Sequence, residues 1–106
     1  MTLDLNTAII IAIVERGKAD QLVEAAKQAG ATGATVFFAR GTGTHEHLSL
    51  LRIKVDAMKE VVLILAKEMQ VQPVFDAVVK AGRMNDPGTG IVFTLPVGMI
   101  AGLDIH

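Results

Sequence analysis

The sequence predicts an α+β sandwich, a four-stranded antiparallel sheet with two helices on one face. Three observations carry that expectation. Four short apolar runs, at residues 7–14, 34–40, 61–66 and 91–95, have the length and β-branched content of strands. Two segments of similar length between them repeat apolar residues at helical spacing. The segments follow one another as β-α-β-β-α-β over 106 residues, enough for one core and not two. That order is the split βαβ, or ferredoxin-like, arrangement in a single domain spanning 1–106.

Each element has its own justification. Residues 7–14 (TAIIIAIV) form a continuous apolar run, the pattern of a central strand covered on both faces. Glu15-Arg16-Gly17 ends it. From 18 to 29, Leu22, Ala25, Ala26 and Ala29 share one helical face, and Gly30 follows as the left-handed residue that stops the helix. Residues 34–40 (ATVFFAR) read as the second strand, and 41–46 (GTGTHE) have turn chemistry. Residues 47–59 stay ambiguous, because Leu51, Ile53 and Val55 alternate with polar neighbours as a strand extension would. Residues 61–66 (VVLILA) are the third strand. A second helix over 69–81 turns Phe75, Val78, Val79 and Gly82 inward, with Pro73 suited to its first turn. The loop 82–90 (GRMNDPGTG) leads into the fourth strand, 91–95, and 97–106 is a short tail.

Composition narrows the function classes. Ten Lys plus Arg stand against eleven Asp plus Glu, a net charge of −1 that argues against binding nucleic acid or an anionic membrane surface. Four Phe are the only aromatics, few platforms for stacking bases. The longest apolar run, residues 8–14, is too short to span a bilayer, and residues 1–7 carry Asp4 and no cation, unlike a secretory leader. Without cysteine there is neither disulfide nor thiolate chemistry, and the expected location is the cytoplasm. A mean hydropathy of +0.46 is more apolar side chain than a small core usually hides. Either the core is rich in Ala and Val or, as surface-to-volume scaling favours, the chain is a homo-oligomer that covers one face of each copy.

Two segments carry a family resemblance. The stretch 15–36 (ERGKADQLVEAAKQAGATGATV) places Lys18 and Asp20 at a helix start, then the Gly30…Gly33 pair, then Thr35-Val36 entering a strand. The stretch 78–97 (VVKAGRMNDPGTGIVFTLPV) joins the second helix to a glycine-rich loop and a strand ending in Leu-Pro-Val. Together they resemble the P-II signal-transduction family, including its phosphate loop of the form R-T-G-x-x-G-D-G-K-I-F. The resemblance implies a regulatory protein rather than an enzyme, a homotrimer with adenine nucleotide in clefts between subunits. It also implies that the 41–60 loop docks onto a protein target (a transporter, enzyme or regulator), with nitrogen regulation as the setting.

Within that resemblance Gly41, Gly43, Arg83, Gly88, Thr89 and Gly90 form the nucleotide-binding set. Arg83, Gly88, Gly90 and Phe93 stand where the family has the same residues, but the two lysines are replaced by Asp86 and Ile91, and Asn85 and Thr89 replace a Gly and an Asp. The tail after Val97 (GMIAGLDIH) lacks the arginines that clasp a polyphosphate. The expected ligand is therefore AMP or ADP in preference to ATP. No tyrosine exists to be modified, and His45 stands where the family has a glutamine.

Other chemistries have weaker footing. On an extended segment His45 and His47 would point to one face and begin a divalent-metal site, with His106 as a third ligand. The alternative is two exposed loop histidines with no ligand. The metal reading makes the chain a divalent-cation-tolerance type of trimeric module. Asp56, Glu60 and Glu68 flank a strand and are expected to face solvent, and Ser49 lacks a nucleophile-elbow pattern.

Overall fold

The structure, a computed structural model, describes residues 2–3, 6–41 and 57–102. The elements are β1 (Thr2–Leu3), β2 (Thr7–Glu15), α1 (Ala19–Gln28), β3 (Thr35–Gly41), β4 (Ala57–Lys67), α2 (Glu68–Gly82), β5 (Gly90–Pro96) and β6 (Met99–Ile100). Four strands form one antiparallel sheet in the order β3-β4-β2-β5, and β1 pairs with β6 as a separate two-stranded ribbon. This is the expected α+β ferredoxin-like sandwich.

Alternation along the strands decides which face meets the helices. Ile10, Ala12 and Val14 of β2 and Val62, Ile64 and Ala66 of β4 are buried in one cluster with Ala19, Leu22 and Ala26 of α1 and Val74 and Val78 of α2. Fully burying one such Leu, Ile or Val side chain contributes about 1.5–3 kcal/mol, so these rows hold the two layers together. The opposite side of the sheet receives the other parity, Ile9, Ile11 and Ile13 of β2 with Leu63 and Leu65 of β4 and Ile91 and Leu95 of β5. Among the described residues no helix covers it. Among the described residues, therefore, β2 is central in the sheet but covered by helices on one face, not on both.

Several boundaries differ from the sequence reading. The third strand of the pattern, expected over 61–66, begins four residues earlier at Ala57, because β3 pairs with it from Thr35↔Leu63 to Gly41↔Ala57. The expected tail includes β6, which pairs Thr2↔Ile100 and Leu3↔Met99. Helix α2 starts at Glu68, whose N–H reaches the Asn6 carbonyl at 2.7 Å, so Pro73 sits in the second turn rather than the first. Its inward face is Val74, Val78 and Gly82, with Phe75 and Val79 half-buried.

Candidate functional site

The C-terminal end of β2, the end of β3 and the starts of β4 and β5 lie at one end of the sheet, as their antiparallel registers require. Two helix junctions sit there, the turn into α1 and the turn out of α2.

The turn into α1 has no cap of its own. Lys18 is the N-cap residue and makes no side-chain cap hydrogen bond. Gly17 takes φ 95°, a left-handed value that glycine adopts without steric penalty. The orphan N–H groups are met from across the sheet. Gly17 N–H donates to Glu60 Oε1 in a short hydrogen bond, and Ala19 N–H donates to the same oxygen at 3.3 Å. Glu60 is buried at 9% exposure, on the same strand parity as Val62 and Ile64. The expectation that Glu60 faces solvent is corrected: its alternation places it on the helix side, where an anion at a helix N-terminus is favoured by the macrodipole. Glu68, at the first turn of α2, is exposed as expected, and Asp56 lies outside the described residues.

The turn out of α2 closes locally. Arg83 has φ 52° and ψ 44°, the left-handed residue that ends the helix, and it is the one non-glycine with positive φ among the described residues. Arg83 N–H donates to Lys80 O at 3.2 Å and Met84 N–H to Val79 O at 2.9 Å, the paired bonds of a Schellman motif. Asp86 N–H then donates to Arg83 O at 2.9 Å. The Thr89 hydroxyl lies 2.8 Å from Arg83 O and 3.0 Å from Asp86 O, so one donor bridges both carbonyls across the loop. Gly90 completes the turn at φ 144°, where a Cβ would lie 2.7 Å from the Ile13 carbonyl oxygen. On the loop's surface Arg83 Nε and Asp86 Oδ2 pair at 3.1 Å.

Arg83, Gly88, Thr89 and Gly90 are thus brought into one loop, as expected. Gly41 is not with them. It ends β3 on one edge of the sheet, whereas Gly90 begins β5 on the other edge. Three strand spacings separate those edges, at least about 14 Å. Gly43, His45, His47 and His106 lie outside the described residues, and among the described residues no group of three His, Asp or Glu side chains gathers as a metal cluster. Sequence reasoning missed Glu60 as a buried residue. Its signal was the parity it shares with Val62 and Ile64.

The fold and the closed glycine loop define a small ferredoxin-like domain with an exposed, internally bonded helix-to-strand turn. Comparison with known proteins makes the class specific. The family model for nitrogen regulatory protein P-II matches residues 7–103. The crystal structure of Arabidopsis thaliana PII bound to citrate superposes with a TM-score of 0.70 at 27% identity, covering 90% of this chain and 80% of that one. No curated protein sequence gives a significant match. The chain belongs to the P-II family, whose members are regulatory signalling proteins that form trimers, bind small effectors such as adenine nucleotides and act on partner proteins. No helix among the described residues is long and apolar enough to cross a membrane.

Proposed function

We propose that this chain is a non-catalytic regulator that works as a homotrimer of one P-II-like domain, residues 1–106. Its small effector binds between copies. One observation carries the reading: Gly41 and the 83–90 loop occupy the same end of the sheet but opposite edges. A ligand touching both must lie between the β3 edge of one copy and the β5 edge of another. The aliphatic sheet face that the helices leave uncovered supplies the surface for assembly, with Ile91 at 54% exposure and Leu95 at 49%. Apolar area of that kind is what a stable oligomer buries.

The site residues are Gly41, Gly43, Arg83, Gly88, Thr89 and Gly90, and the effector is an adenine nucleotide, AMP or ADP before ATP. Backbone groups of the glycine turns supply most of the recognition, and Arg83 the cation. Residues 41–60 report occupancy to a cytoplasmic protein target in nitrogen regulation. Light scattering over a dilution series, paired with thermal shifts under AMP, ADP, ATP, citrate and divalent metals, tests this reading. A concentration-independent trimer and a shift with AMP or ADP are expected. A stable monomer would end it. A shift with metal alone that disappears in His45→Ala/His47→Ala would transfer the function to metal binding.

A further inference from the structure

Arg83 is the one cation of the 83–90 loop, and its guanidinium is already engaged. The Asp86 carboxylate holds its Nε at 3.1 Å, with the two side chains 80% and 52% exposed. This pair does no visible structural work. The loop's shape is held by backbone and hydroxyl bonds: Met84 N–H to Val79 O, Asp86 N–H to Arg83 O, and the Thr89 hydroxyl to two carbonyls. All of these survive loss of the Asp86 carboxylate. An ion pair so open to water contributes little to stability. What it does change is the charge that an incoming anion meets, since Asp86 offsets the only positive group the loop presents.

We propose that Asp86 is the specificity-determining residue of this loop, an internal carboxylate that occupies Arg83 and disfavours ligands carrying several negative charges. An anion reaching the loop must displace the carboxylate from Arg83 and then remain beside it. The penalty grows with every further charge, so a monophosphate is admitted where a triphosphate is discriminated against. The inference rests on the reading of residues 83–90 as one wall of the effector cleft.

Titration calorimetry of the full chain at fixed low salt tests it, with AMP, ATP and inorganic tripolyphosphate as probes. Asp86→Asn removes the charge and keeps the side-chain volume. We expect ATP and tripolyphosphate to bind this variant about tenfold more tightly than the parent protein, with a much smaller change for AMP. Adding Arg83→Gln to Asp86→Asn should abolish the gain, and raising the salt should shrink it. The melting temperature of Asp86→Asn should stay at the parent value, which a structural role for the pair would not allow. If Asp86→Asn gains nothing for tripolyphosphate or ATP, the proposal is overturned, whether or not AMP binds. If the tripolyphosphate gain appears while AMP binds neither protein, Asp86 has the role proposed and the adenine-nucleotide reading fails.

Discussion

The two helix junctions at the same end of the sheet solve one problem in opposite ways. At the entry to α1, unsatisfied N–H groups are met by Glu60, a buried carboxylate more than forty residues away in sequence. At the exit of α2, the chain reversal is closed within residues 79–90 by local bonds and one left-handed arginine, and one bond comes from α1, where Gln21 Nε2 donates to the Ala81 carbonyl at 3.3 Å. The first junction is therefore welded to β4, and disturbing it disturbs the sheet. The second is held mainly by local bonds, and its Arg83 and Asp86 side chains are exposed, so those two are available to chemistry without endangering the fold. If the 83–90 loop is the effector wall proposed above, the second junction is where such a domain would change its ligand preference at little cost to stability.

The comparison breaks most sharply at the point where the local junction touches the sheet. Gly90→Ala would push a Cβ to 2.7 Å from the Ile13 carbonyl at a φ of 144°. A loss of about 3 kcal/mol or more is expected in urea unfolding, from close overlap together with backbone strain. Next in size is the long-range junction itself. Glu60→Ala leaves the Gly17 and Ala19 N–H groups without their acceptor and should cost about 2 kcal/mol, whereas Glu60→Gln keeps an oxygen and should cost about half as much. Equal losses in the two variants would show that the negative charge, not the acceptor, matters there.

Smaller effects sharpen the contrast. Arg83→Gly relieves a left-handed non-glycine residue and should stabilise the protein by roughly 0.5–1 kcal/mol while weakening anion binding. Stability and binding moving in opposite directions would mark the α2 exit as a functional rather than a structural turn. Smallest of all, Asp86→Asn should leave the unfolding free energy within about 0.5 kcal/mol of the parent. A larger change would mean that the exposed pair holds the loop after all.

How much of this was legible in the sequence follows from the range of the interactions. The β2 run TAIIIAIV and the helical spacing of Leu22 and Ala26 express local periodicity, and the structure makes them a central strand and a buried helix face as read, although the described helices cover that strand on one face and not on both. The glycine loop was legible because Gly88 and Gly90 sit at positive φ, a local demand that a glycine announces. Glu60 was misread because Met58-Lys59-Glu60 looks like a polar strand edge, and the helix terminus that buries the carboxylate belongs to a distant segment. The ribbon of β1 and β6 has two residues per strand, too few for any period to appear. The separation of Gly41 from the 83–90 loop depends on strand order, which a family motif does not display. Likewise the Arg83–Asp86 pair is a matter of side-chain geometry, although the i,i+3 charges were there to see.

The strand order also governs how the chain comes to be folded. β2 is synthesised early, yet both of its neighbours arrive late: Thr7 pairs with Lys67, and Ala8 pairs with Pro96. During translation the segment TAIIIAIV must wait for most of the polypeptide before either edge is satisfied. A nascent chain holding such a segment unpaired is a substrate for chaperones and a nucleus for cross-β association. With partners this remote, folding is set by slow closure of long loops, in contrast to the rapid local assembly of helical bundles. Slow synthesis or a stall before residue 96 should therefore send this protein into inclusion bodies, although the finished domain is built from short, regular elements.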